Sequence, residues 1–328
     1  MHHTFSIIVP LYNCQNILEQ LFDTLTNQTC KDFEVIFIDD CSCDDTINKF
    51  NKFKDKINFE YQLLMNCENK GPGISRNLCL EQANGQYIFF LDSDDCINVD
   101  TLEKINKTII ENDTPDAVLF DYFTVYKQRK IKCNTIFNFH EGFVSSENAM
   151  IYSTGATWCK VYKLGIIKDN NVFFPDMRTK EDFVFNKIAL SFCKTIFYLK
   201  DNLYEYVVNS DSVMNTTKLL GEANAKKAFD ILEKKIDKKY SKAISILKIK
   251  EYLFGTLQSM VRMRKRNIEI KNFIDKYEEQ NPGWKMLIHT HKFDIFTTLI
   301  LKLTSKRAVP AMVFIILFKD KIKKHFIK

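Results

Sequence analysis

Three carboxylates in four residues, Asp92-Ser93-Asp94-Asp95, form the strongest chemical signal in the chain. Side by side they repel one another, and a hard divalent cation shared with a diphosphate offsets that cost. Mg²⁺ and Mn²⁺ are commonly held by one or two protein carboxylates plus phosphate oxygens. The competing reading is a solvated acidic turn ahead of the next helix. A second signal is Gly71-Pro72-Gly73 with Arg76 behind it. Glycines let backbone approach a ligand, a helix N-terminus favours anions, and a guanidinium forks onto phosphate; a tight turn with a surface Arg is the alternative. The third is Glu181-Asp182 at a predicted helix start. A carboxylate there can take a proton from an acceptor hydroxyl within hydrogen-bond reach, or it can simply cap the helix.

These segments need a frame that brings them together. Phe5 to Pro10, Phe33 to Ile38, Phe59 to Met65 and Tyr87 to Leu91 are short apolar runs separated by segments of helical period, the pattern of βαβ units and a largely parallel sheet. Asp39 and Asp40 end the second run, the glycine turn follows the third, and Asp92 to Asp95 ends the fourth. All therefore fall on the carboxyl edge of one sheet, where doubly wound folds bind ligands. A helix through Leu102, Ile105 and Ile109 and a strand from Ala117 to Tyr126 follow. Beyond them the pattern is less regular to about Asn215, apart from an amphipathic helix opened by Glu181-Asp182. From Thr216 on, Lys-rich segments of helical period take over. No G-x-G-x-x-G follows the first strand, which excludes a nicotinamide enzyme of the usual kind.

In order, Ser6-Ile-Ile-Val-Pro-Leu-Tyr-Asn13, Gln28-Thr29, Phe33-Glu-Val-Ile-Phe-Ile-Asp-Asp40, Asn69-Lys-Gly-Pro-Gly-Ile-Ser-Arg-Asn77, Gly85-Gln-Tyr-Ile-Phe-Phe-Leu-Asp-Ser-Asp-Asp95 and Glu181-Asp182 resemble glycosyltransferase family 2. The resemblance covers roughly residues 4–215. It implies an α/β fold of GT-A type, a mostly parallel Rossmann-like sheet with flanking helices, followed by a helical C-terminal region. It further implies a nucleotide-sugar donor, usually UDP-linked, and inversion at the anomeric carbon. Carried over position by position, it sets Pro10 and Tyr12 beside the nucleotide base, Asp40 on uracil, Arg76 facing the diphosphate, and Asp92 on the ribose with Ser93 beside it. Asp94 would ligate Mn²⁺ or Mg²⁺, Asp182 would be the general base, and Asp39, Asp95 and Glu181 would support them. Trp158 and Lys160 match a W-x-K element that borders donor or acceptor, although a buried Trp fits as well. One departure is Cys41, where the family commonly carries glycine; a positive φ there would strain a cysteine.

The expected organisation is a catalytic domain over 1–215, with residues 1–100 binding the nucleotide sugar and 101–215 facing the acceptor, and a helical region over 216–328. Charge separates the two. Residues 285–328 carry a net +8 and the preceding 284 residues −2, so the cationic, apolar-rich tail points to an anionic surface rather than to nucleic acid. The apolar run from Ala308 to Phe318, broken by Pro310, is shorter than the roughly 18 residues a bilayer span needs. A segment lying in the membrane interface and a helix packed on the protein both fit it. Ten cysteines without a C-x-x-C pair, and an opening ten residues without a signal-like apolar core, lead to the expectation of reduced thiols and a cytoplasmic protein, peripheral on the inner membrane face. The partners expected are a nucleotide sugar and a glycan or lipid-linked acceptor. Two other functions compete. A sugar nucleotidyltransferase would carry a basic, Gly-rich loop after strand one, where Pro10-Leu-Tyr-Asn13 is neither; a non-catalytic membrane-surface protein would not need Asp40, Arg76, Asp94 and Asp182.

Overall fold

The computed structural model describes residues 3–127, 129–208, 221–291 and 293–327. Two compact units divide the chain, Met1–Ser212 and Val213–Lys328. The expected boundary near residue 216 falls between 209 and 220, outside the described residues.

The first unit is built on a sheet of ten strands among the described residues. β1 (Phe5–Leu11), β2 (Phe33–Asp39), β3 (Glu60–Met65) and β4 (Tyr87–Phe90) run parallel in the order β3-β2-β1-β4. Parallel strands need crossovers, and α1 (Leu18–Thr26), α2 (Thr46–Phe53) and α3 (Pro72–Gln82) supply them. Helices cover both faces, so β1 and β2 read as continuous apolar runs rather than alternating ones. Ile7, Val9, Val35 and Phe37 pack with Leu18, Leu21, Phe22 and Phe50 in one cluster, while Ile8, Ile36 and Ile38, equally buried, point to the opposite face by the two-residue alternation of a strand. Gly85 is required at the turn into β4, because a Cβ there would lie 2.5 Å from the backbone nitrogen of Ser6.

Past β5 (Cys96–Ile97) and α4 (Thr101–Glu111) the sheet becomes mixed. β6 (Ala117–Tyr126) pairs with β7 (Arg129–Cys133), and β8 (Gly142–Val144) pairs with β10 (Ile196–Val207). β9 (Lys160–Lys163) lies antiparallel between β4 and β6, and β10 runs parallel to β6. α5 (Ser146–Tyr152), α6 (Leu164–Asp169) and α7 (Glu181–Phe192) complete the unit. The stretch that reads as less regular in sequence is thus, in its described residues, built of regular strands and helices. β9, four residues long, gains its place from two neighbours distant in sequence; no local periodicity announces it.

The second unit is helical in its described residues, with α8 (Gly221–Lys235), α9 (Ser241–Leu247), a π-helical turn at Lys248–Phe254, α10 (Gly255–Arg262), α11 (Asn267–Gln280), α12 (Trp284–Thr290), α13 (Ile295–Ser305) and α14 (Val309–Ile327). Ile300, Leu301, Met312 and Ile316 are buried on α13 and α14, whereas Ile295, Phe296, Leu299, Phe314, Leu317 and Phe318 are exposed. No described helix is long and apolar enough to cross a membrane.

Candidate active site

The carboxyl ends of β1, β2 and β3 are aligned, with Leu11, Asp39 and Met65 in one row of the sheet. The residues that follow them form a rim. Tyr12 is half exposed there and Pro10 partly buried. Asp39 is buried; its Oδ2 accepts from the Ser42 amide at 3.0 Å, and Oδ1 has no hydrogen-bond donor among the described residues. Asp40, also buried, accepts from the amides of Lys70 at 2.9 Å and Gly71 at 2.8 Å and from Asn66 Nδ2 at 2.8 Å. Its carboxylate thereby fixes the turn that starts α3. Gly71 has φ 83°, a backbone that only glycine takes without strain, and Pro72 opens the helix behind it. Cys41 stands at φ 62°. The glycine-like geometry is therefore kept although the glycine is gone.

One turn into α3, Arg76 is buried at 3 % exposure. Its NH2 donates to Asp92 Oδ1 at 2.6 Å and its NH1 to Asp182 Oδ1 at 3.0 Å. One side chain thus joins the turn after β4 to the first residues of α7, across sequence separations that place them far apart in the chain. The Phe174 ring lies 5.4 Å from the guanidinium. Burial works against the Arg76 charge, but Asp182 and Asp92 more than offset it and raise its proton affinity. Both NH groups are committed to carboxylates, so Arg76 stands behind them rather than open to solvent.

Asp182 is lifted above the usual carboxylate range mainly by burial; Arg76 and Lys160 pull it back, and Asp92 opposes them. The Thr157 hydroxyl, fully buried and without a hydrogen-bond partner among the described residues, adds a smaller lowering influence on this carboxyl. Glu181, beside it, is pushed up to about 7 by burial and by Asp182, and its Oε2 is buried without a donor. Lys180 precedes the pair at φ 68° and sets the angle at which α7 begins.

The acidic turn divides by direction. Asp92 and Asp94 and the Ser93 between them are partly exposed. Asp95 is turned inward; Tyr204 OH donates to its Oδ2 at 2.7 Å and the Val207 amide to its Oδ1 at 2.8 Å. Burial, with Asp92 and Asp94 beside it, pushes Asp95 to about 9. Trp158 explains how this turn is braced. It is buried, stacked on Tyr204 at 4.5 Å and on Tyr206 at 5.4 Å, so it supports the turn through Tyr204. Lys160 is fully buried as well, its Nζ donating to the carbonyls of Thr154 at 3.1 Å and Ala156 at 2.5 Å, and burial lowers its proton affinity. Tyr204, Asn66 and Thr157 carry no motif in the sequence; only their contacts reveal them.

No three His, Cys, Asp or Glu side chains converge as a ready-made metal site among the described residues. The donor set nevertheless fits a hard cation. Asp92 and Asp94 offer carboxylate oxygens at an accessible turn, which is the sparse protein share that Mg²⁺ or Mn²⁺ takes when phosphate oxygens complete the shell.

A family model described as "Glycosyl transferase family 2" matches residues 6–164. Over those residues the sequence is that of glycosyltransferase family 2. Its match to the poly(ribitol-phosphate) beta-N-acetylglucosaminyltransferase TarS of Staphylococcus aureus (strain Mu50) is 31 % identical over 210 residues, 63 % of this chain and 36 % of TarS. The putative glycosyltransferase EpsH of Bacillus subtilis (strain 168) is 28 % identical over 229 residues, 64 % of this chain and 62 % of EpsH. The chain therefore spans about a third of the length of TarS. Among solved structures, S. aureus TarS 1-349 in complex with UDP-GlcNAc superposes with a TM-score of 0.74 at 23 % identity, covering 98 % of this chain and 92 % of that one. The mannosyltransferase PcManGT of Pyrobaculum calidifontis, in complex with GDP-Man and Mn²⁺, gives 0.58 at 13 % identity, covering 99 % and 88 %. At those identities the likeness is one of fold, and it bears out the GT-A-type architecture expected of this chain.

Proposed function

We propose that this chain transfers a sugar from a UDP-sugar to an acceptor hydroxyl, with inversion at the anomeric carbon and a divalent metal at Asp94. The observation that carries the reading is the bridge by Arg76 between Asp92 and Asp182, which ties a donor-side acid to an acceptor-side acid. Tyr12 and Pro10 flank the base. Asp40 uses three acceptor positions on the Lys70, Gly71 and Asn66 donors, and a carboxylate has about four, which leaves one for the uracil N–H. Asp92 takes the ribose. Asp95, Tyr204 and Trp158 hold the acidic turn rigid, and Arg76 keeps Asp92 and Asp182 at a fixed separation while adding positive potential near the diphosphate. Asp182 accepts the proton of the attacking hydroxyl, a role that a carboxyl lifted above its usual range performs well because its affinity moves towards the operating pH. When bound, Mn²⁺ or Mg²⁺ supplies Lewis-acid stabilisation of the charge on the departing diphosphate.

The donor is taken to be UDP-linked because TarS binds UDP-GlcNAc in its own structure, and the acceptor to be a surface glycopolymer because TarS is a poly(ribitol-phosphate) glycosyltransferase. The exposed apolar residues of α13 and α14, with the net positive charge around them, support a peripheral position on the inner membrane face, close to a lipid-linked acceptor. The test is UDP release from a panel of UDP-sugars with a poly(ribitol-phosphate) acceptor and Mn²⁺. Acceptor-dependent release that excess EDTA abolishes is expected. Release that persists in EDTA would refute the metal, and UDP binding without any turnover would favour a binding protein with a decayed site.

A further inference from the structure

Ten cysteines are free, and the three exposed ones, Cys41, Cys43 and Cys67, all stand at the proposed base end of the donor rim. The others are buried or partly covered, and burial pushes the thiols of Cys14 and Cys79 up to about 11 and about 12, which keeps them unreactive. The exposed three sit on neighbouring chain segments. Asp39 and Met65 are register partners in β2 and β3, and the Asn66 amide continues the pairing to the Asp39 carbonyl at 2.9 Å. Cys41 and Cys67 each lie two residues beyond that last aligned pair. The Cys41 thiol is directed at its neighbour, with Sγ 3.7 Å from the Cys67 carbonyl oxygen. Cys43 faces the other way, its Sγ 3.5 Å from Asn13 Oδ1 on the β1 side. Cys41 also occupies a backbone conformation, φ 62°, that glycine would take without strain. Being exposed, its side chain gains nothing from packing to compensate, so a use for the thiol itself explains why a cysteine stands there.

We propose that Cys41 and Cys67 form a dithiol that a low-molecular-weight disulfide oxidises, and that the resulting cross-link weakens nucleotide binding. The reaction is thiol–disulfide exchange. The Cys41 thiolate attacks the small disulfide, forming a mixed disulfide and expelling one thiolate; the Cys67 thiolate then attacks Cys41 Sγ, forming the Cys41–Cys67 bond and expelling the second. The protein loses two electrons and two protons, and the small disulfide becomes two thiols. The link would join the residue after Asp40 to the residue after Asn66. Those two side chains hold one another at 2.8 Å, and Asp40 in turn holds the Gly71 turn. Rotating Cys41 towards Cys67 therefore reshapes the carboxylate that the base would meet. This consequence rests on the proposed nucleotide site, whereas the cross-link itself does not.

The experiment equilibrates the full chain with oxidised glutathione and follows it two ways: peptide mapping of the disulfide, and UDP affinity by calorimetry. The expected result is a Cys41–Cys67 peptide lighter by two hydrogens, a UDP affinity about ten- to a hundredfold weaker, as loss of one hydrogen bond to a charged group would give, and full recovery in dithiothreitol. Cys67→Ser should stop at a glutathione adduct on Cys41 and give no cross-linked peptide, a stage that the natural chain passes beyond, and Cys43→Ser should respond as the natural chain does. In the natural chain, unpaired thiols, a Cys41–Cys43 link, a persistent glutathione adduct, or a Cys41–Cys67 link that leaves UDP affinity unchanged would each overturn the proposal. If the reduced chain fails to bind UDP while the cross-link forms, it is the nucleotide reading that falls and the dithiol that stands.

Discussion

Replacing Asp182 by Asn separates its two possible functions, proton acceptor and structural partner of Arg76. The substitution keeps the shape and removes the charge. In the folded chain Asp182 Oδ1 receives Arg76 NH1 at 3.0 Å while Asp92 holds NH2 at 2.6 Å, so Arg76 keeps one full ion pair in the variant. The lost charge-assisted hydrogen bond is worth about 1.5–3 kcal/mol. Against it stands the burial that already raises the Asp182 proton affinity, a cost of the ionised form that Asn does not bear. The second offsets part of the first, so the melting temperature should fall by less than about 10 °C. Catalysis has no such compensation, because the amide cannot accept a proton. Loss of a general base lowers turnover by about 10²- to 10⁴-fold, or about 3–5 kcal/mol in the barrier. The assay is UDP release at saturating donor and acceptor, with UDP affinity measured separately. A fall in kcat with UDP affinity intact is expected. If Asp182→Asn instead turned over within a few-fold of the natural chain, or lost mainly nucleotide affinity and melting temperature, the base assignment would be wrong and Asp182 would be only a strut for Arg76.

Arg76→Lys should fail at the bridge, since one ammonium cannot fork onto both Asp92 and Asp182; a melting temperature lower by about 4–10 °C together with slower transfer is expected, and no change in either would show that the bridge is dispensable. Glu181 is lifted from 4.5 to about 7, so the folded chain holds a proton there that the unfolded chain has already released. Its contribution to stability is present below about pH 4.5 and lost as pH rises through about 7. Glu181→Gln should accordingly gain stability over the natural chain at pH 8 and gain little at pH 4.5, and an equal effect at both would contradict the shift. Exchanging the exposed Phe314, Leu317 and Phe318 of α14 for Ser should abolish sedimentation with anionic lipid vesicles at physiological salt without altering UDP affinity; a natural chain that ignores such vesicles would remove the membrane proposal.

Much of the rim was legible from sequence because it obeys local rules. A parallel strand buried on both faces must be an apolar run, a ligand edge must come at its carboxyl end, and a turn with positive φ selects glycine. Hence Asp40, the Gly71 turn, Arg76 and the acidic turn could be placed on one edge, and Glu181-Asp182 at a helix start, before any coordinates. The positive φ that a glycine position foretells at Cys41 was legible for the same reason, and φ is 62° there.

Tertiary structure alone decided what each of these residues touches. That Arg76 spends its fork on Asp92 and Asp182, that Asp95 turns inward to Tyr204, and that Trp158 stacks on Tyr204 depend on β9 and β10 pairing with strands far away in the chain. Local sequence fixes periodicity and turn chemistry over a few residues. Direction of a side chain at a sheet edge depends on the neighbours that long-range pairing delivers, and no window of sequence contains them.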